Sequence, residues 1–221
     1  MRPILPGIQL LLLAVLLQCQ SLSIAATSAI SKSQTPSGKP EIKLPANLIP
    51  VPLCRQAKCY TCGVAALQSI LAYNGQEIRE DDLEKKLKST YKMGTAYQRI
   101  ADYAEKAGLK VEIHKNMTLA ELKAALDKNI PVLILLQAWG TAGKDYRQEW
   151  EDGHYVVAVA YDEKNLFFMD PSTIGNYTYI PQSEFIERWH DTDYKEKLFN
   201  FGMYIWQDKT NYKPDIAKFM E

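Results

Sequence analysis

Gln56 and Cys62 stand six positions apart in "RQAKCYTCGVAALQSILAYNG", residues 55–75, with a second cysteine, Cys59, between them. Two cysteines three apart admit several chemistries: a redox pair, half of a metal site, a structural disulfide, or one nucleophile beside a bystander. The segment after Cys62 decides how reactive it is. Ala65, Ala66, Leu67, Ile70, Leu71 and Tyr73 fall on a helical stripe that Asn74-Gly75 ends. Cys62 then occupies the first turn of a helix, where unpaired backbone N–H groups and the positive dipole end favour a thiolate. Gly63 leaves the sulfur sterically open. The Gln56 amide and the Cys62 N–H would together make a two-donor oxyanion hole, in which one donor is typically worth about 2.7–4 kcal/mol of barrier. The competing role for Cys62 is that of a small buried core residue.

A cysteine nucleophile needs a base, and the chain has three histidines. His114 ends a strand pattern beside Lys115 and Asn116, which suits the surface. His190, in "RWHD", follows a short helix, where capping and packing are common roles. His154 follows a glycine at the head of the most hydrophobic hairpin, at the edge of the sheet. Asp170 lies sixteen residues on, at the same end of that hairpin, where it would orient the imidazole. A regular hairpin closed at Glu163-Lys164 places Asp170 opposite Val157 and on the wrong face, so the arrangement requires a bulge or a longer turn. Asp170 precedes Pro171, so a plain turn role competes with it. Trp139 and Trp150 flank His154 in sequence and either line a substrate groove or pack inside.

The other readings of the cysteine pair are weaker. A redox C-x-x-C sits between a strand and a helix, whereas a proline-rich stretch precedes this one. A zinc site would need two further ligands from distant, scattered positions. Cys54–Cys59 or Cys59–Cys62 bridges remain as accessory features, the first bracing the loop of Gln56, the second trapping Cys62.

The elements that must position these residues divide the chain in two. "EDDLEKKLKS" reads as a short helix whose charges suit its dipole. "GTAYQRIADYAEKAGL" reads as a helix opened by a Thr95/Gln98 capping box and closed at Gly108, and "TLAELKAALDKN" as one opened by Thr118/Glu121 and stopped at Asn129. "LKVEIH" alternates as a strand between these two helices. Later, "IPVLILLQAW" is a continuous apolar run, as in a fully buried strand, and "HYVVAVAY", "DEKN" and "LFFMD" form an antiparallel hairpin. "QSEFIERW" reads as a short helix and "FNFGMYIW" as a closing strand. Helices first and strands afterwards predict an α+β domain, a helical half packed on a C-terminal antiparallel sheet.

Of the 221 residues, the first 25 read as a secretory signal peptide: Arg2, then "ILPGIQLLLLAVLLQ", then small residues around Ser23-Ile24-Ala25. Export to the periplasm or the exterior is therefore expected. A retained membrane anchor is the alternative, and a lipid tether on Cys19 a weaker one, because Gln18 stands where a small residue is expected. Residues 26–50 read as a flexible linker, 51–208 as one domain and 209–221 as a tail. No stable membrane span is expected once the signal is removed. The 26 basic and 26 acidic residues balance, which gives no reason to expect nucleic acid as a partner.

Taken together, "RQAKCYTCGVAALQSILAYNG", "GTAYQRIADYAEKAGLKVEI", "MTLAELKAALDKNIPVLILLQAW", "GHYVVAVAYDEKNLFFMDPS" and "YTYIPQSEFIERWHD" resemble cysteine peptidase family 39. These are papain-like, double-glycine peptidases that trim bacteriocin leader peptides, and the chain looks more like their free-standing relatives. The resemblance implies a papain-like fold, a bacterial source and a peptide or protein substrate. It places Cys62 on the nucleophile, His154 on the base, Asp170 on the orienting acid and Gln56 on the oxyanion residue, with no cofactor or metal. The best-known members are fused to an export transporter, which is not visible here, so cleavage after a double glycine does not carry over. Two other functions use the same scaffold: a silent binding domain, and acyl transfer or amide hydrolysis on a non-peptide substrate.

Overall fold

Helix α1 (Cys62–Tyr73) buries nearly its whole length, and its end is closed by Asn74 and a left-handed Gly75. In α2 (Glu80–Leu87) only Leu83 and Leu87 turn inwards, and the acidic first turn and basic last turn match the helix dipole. Helix α3 (Tyr97–Lys106) and strand β1 (Lys110–His114) follow, then α4 (Leu119–Asp127), which opens with the expected Thr118/Glu121 capping box. The remaining elements are β2 (Val132–Gln137), a 3₁₀ turn (Tyr146–Gln148), β3 (Gly153–Tyr161), β4 (Asn165–Met169), β5 (Thr178–Pro181), α5 (Gln182–Arg188), β6 (His190–Asp193), β7 (Glu196–Phe199) and β8 (Gly202–Trp206).

This computed structural model describes residues 40–140, 143–210, 212–217 and 219–220. The expected signal peptide, Cys19 and the linker as far as residue 39 lie outside the described residues. The chain divides into Met1–Lys43 and Leu44–Glu221, and every element above belongs to the second unit. Packed chain begins inside the expected linker, because Ile49 and Val51 are buried in the core.

Six strands form one antiparallel sheet in the order β1-β8-β2-β3-β4-β5, and β6 pairs with β7 separately. Every residue of β2 is buried, as its unbroken apolar run predicts for a central strand covered on both faces. Helix α1 packs on β3, and α4 packs on β2 and β3. His154 is thus near the start of an interior strand rather than at a sheet edge.

The Thr95/Gln98 box does not form. Helix α3 begins at Tyr97 with Ala96 as its cap residue, and the Thr95 hydroxyl pairs with Ser89 at 2.8 Å instead. The Tyr97 N–H is satisfied from across the fold, by Asp193 Oδ2 at 2.9 Å. Strands β5, β6 and β7 carry no sequence signal: β5 ends in a proline, and "HDTDYKEKLF" is polar without apolar alternation.

Candidate active site

The β3–β4 hairpin contains the bulge that the sequence requires. Tyr161 pairs with Leu166 and Ala160 with Phe167, then the register shifts so that Ala158 pairs with Phe168 and Val157 with Met169. Val159 is the extra residue, and its carbonyl accepts from Ile49 N at 2.9 Å. Continued one step past Met169, the shifted register sets Asp170 opposite Val156, on the face that His154 shares. His154 Nε2 and Asp170 Oδ1 lie 2.7 Å apart.

Asp170 is fixed from its own turn. Its Oδ1 also accepts from Ser172 N and Ser172 Oγ, each at 2.8 Å, and its Oδ2 accepts from Thr173 Oγ1 at 3.0 Å. Gln56 N donates to Pro171 O at 3.0 Å, so the turn holding the acid also holds the loop of Gln56. The Gln56 amide Nε2 donates to Lys58 O at 2.8 Å, which occupies one of its two hydrogens, and Oε1 is buried without a partner.

Carboxylates of α2 brace that loop. Glu80 accepts from Ala57 N at 2.9 Å and from Thr61 Oγ1 at 2.7 Å. Glu84 accepts from Lys58 Nζ at 2.7 Å and from Tyr60 Oη at 2.8 Å. Cys54, Cys59 and Cys62 are free thiols, so neither of the two bridges that the sequence left open is formed. The loop is tied down by acids, not by sulfur.

Cys62 is the first residue of α1, and His154 acts on its thiol. Burial pushes the thiol up. The His154 hydrogen bond and charge and the backbone N–H groups of Tyr155 and Gly63 outweigh it, leaving Cys62 below the ordinary thiol value. Burial pulls His154 down, but its hydrogen bonds to Asp170 and Cys62 and their charges raise it to about 9. Burial likewise opposes the Asp170 carboxylate, yet His154 and the Ser172 donors hold it at about 2. All three shifts favour one state, thiolate and imidazolium beside carboxylate. His154 Nδ1, the ring nitrogen that Asp170 does not use, is buried. Cys54 is the opposite case, pushed up to about 11 by burial and by the charge of Glu80.

The other two histidines lie elsewhere. His114 packs on Tyr204 with ring centroids 4.3 Å apart, and His190 Nε2 meets Glu149 O at 2.7 Å. The two tryptophans separate. Trp139, half exposed and left-handed at φ 51°, lies over His154 with centroids 4.6 Å apart. Trp150 packs on His190 and lines a cleft of about 310 Å³ beside Cys62. Sequence reasoning missed Glu80, Glu84 and the pair Asp191 and Asp193. "DPST" did carry a usable signal, since Asp and Ser or Thr in a proline turn bond locally.

Gly63 stands against an aromatic ring. A Cβ there would stand 2.9 Å from Tyr155 Cδ2 and 3.0 Å from Thr95 Cβ, so the glycine admits the Tyr155 ring onto the helix start. Gly63→Ala is expected to destabilise the fold by about 1–3 kcal/mol through overpacking. Urea unfolding measures this, and an unchanged midpoint would mean that the ring yields freely.

The model of the Peptidase_C39 like family matches residues 48–196. Among solved structures, a C39-like peptidase from Bacillus anthracis is 19% identical with a TM-score of 0.57, covering 73% of this chain and 98% of that one. The peptidase domain of Streptococcus ComA, a bifunctional ABC transporter involved in quorum sensing, is 19% identical with a TM-score of 0.51, covering 70% and 96%. Both share the mixed helix and antiparallel-sheet fold. No curated protein matches the chain.

Proposed function

Because the chain belongs to the Peptidase_C39 like family, we propose that it is a cysteine-type peptidase acting through Cys62, His154, Asp170 and Gln56. The observation that carries this reading is the convergence of a depressed thiol, a raised imidazole and a carboxylate 2.7 Å from that imidazole. His154 Nδ1 takes the proton of Cys62, and the thiolate attacks the substrate carbonyl carbon. The Cys62 N–H and the remaining Gln56 amide hydrogen stabilise the oxyanion. The imidazolium then protonates the leaving amine, and water releases the acyl group from sulfur. Asp170 holds the ring and its charge throughout.

The apolar N-terminal run supports export, with action in the periplasm or outside the cell. Among the described residues no helix is long and apolar enough to cross a membrane. Iodoacetamide under reducing conditions tests the site directly. At pH 6 alkylation of Cys62 is expected to outpace that of Cys54, as mapped by peptide mass, and His154→Ala should remove the advantage. Failure of Cys62 to react ahead of Cys54 would sink the peptidase reading in favour of a silent binding domain.

A further inference from the structure

The cleft beside Cys62 is charged in one sense only. Its lining includes Glu151, Asp191 and Asp193 and no Lys, Arg or His, in a chain whose formal charge is zero. Asp191 and Asp193 alternate on β6 and so share a face. They are 7% and 8% exposed. Each has a structural tie, Asp191 Oδ1 accepting from Gln137 Nε2 at 2.8 Å and Asp193 Oδ2 capping α3 through Tyr97 N at 2.9 Å. Neither forms an ion pair among the described residues; Arg99 and Lys115 act on Asp193 only from further away. Asp191 Oδ2 lies against Gly153, where any Cβ would collide with it, immediately before His154.

Buried carboxylates without a cation are costly. Burial, augmented by the charge of Asp193, pushes Asp191 up to about 6 against the donors Thr192 N and Gln137. Tyr60, Tyr91 and Trp150 supply aromatic walls, and Lys197 already places its ammonium 4.1 Å from the Trp150 ring centre. Such walls suit an aliphatic stem with a cationic end. A glycine would leave this volume unfilled.

We infer that the cleft receives the basic side chain, Lys or Arg, of a residue adjoining the scissile bond of a peptide, with Asp191 and Asp193 as its specificity-determining pair. This rests on the peptidase reading. The test uses internally quenched peptides in which Lys, Arg, norleucine or Glu is walked through the positions on either side of a central bond. At one position kcat/KM for Lys or Arg should exceed that for norleucine by roughly 10–100-fold, the range of a charge-assisted contact, with Glu poorest. Combining Asp191→Asn with Asp193→Asn should bring the Lys-to-norleucine ratio close to one. The wild-type ratio alone decides if the double variant fails to fold. Equal rates for Lys and norleucine at every position overturn the inference and leave the peptidase reading standing. No cleavage of any peptide overturns it as well, and selective alkylation of Cys62 in the same preparation then separates a wrong substrate class from a silent site.

Discussion

Cys62→Ala is expected to abolish peptide hydrolysis, lowering kcat by roughly 10⁴-fold or more while the thermal transition stays near that of the wild type. The side chain is small and only partly exposed, so its loss costs little packing. It removes the atom that attacks, and Cys54 cannot replace it. Cys54 is held protonated by burial and by Glu80. The wild-type pH profile should show the same chemistry from the other side. Activity rises as Cys62 loses its proton below the ordinary thiol range and falls as His154 loses its own near pH 9. The active form lies between those limits. A profile still climbing through pH 10, or turnover retained in Cys62→Ala, would exclude the thiolate–imidazolium pair as the working state.

The second large effect belongs to Asp170. Asp170→Ala should cut kcat by roughly 10³–10⁴-fold, because His154 loses the acceptor that fixes its ring and stabilises its charge. Asp170→Asn should retain more, since an amide oxygen still accepts from Nε2–H. Stability should follow with a defined pH dependence. The folded Asp170 lies at about 2, below its ordinary 3.8, so its contribution is present above pH 3.8 and is lost as pH falls towards 2. The folded His154 lies at about 9, above its ordinary 6.5, so its contribution is full below pH 6.5 and is lost as pH rises through 9. Wild type should therefore exceed Asp170→Ala most between about pH 4 and 6.5, by on the order of 2 kcal/mol. Thermal melts of both proteins across pH 3–10 check this; a gap independent of pH would make Asp170 a turn residue alone.

The helical half and the buried hairpin were legible because their apolar periodicities are strong and uninterrupted. Even the bulge at Val159 was foreseeable, since a regular hairpin leaves Asp170 on the wrong face of the sheet. What stayed hidden was satisfied at long range. Asp193 caps a helix 96 residues away in sequence, and no local pattern announces that. Thr95 and Gln98 have the spacing of a capping box, yet tertiary packing started the helix one residue later. Glu80 and Glu84 read correctly as part of a short helix whose charges suit its dipole, but their second task, holding residues 57–61, depends on a fold that a single sequence does not display. Gly63 has a second reason to be a glycine that its place beside Cys62 does not announce: it accommodates the Tyr155 ring.

The carboxylate bracing of the Gln56 loop separates two requirements that disulfide scaffolds set against each other. A thiol nucleophile works only when reduced, and a loop cross-linked by cystine slackens under the same reductant. Here Glu80 and Glu84 grip Ala57, Lys58, Tyr60 and Thr61 through oxygen. A reductant that keeps the Cys62 thiol free leaves its platform untouched.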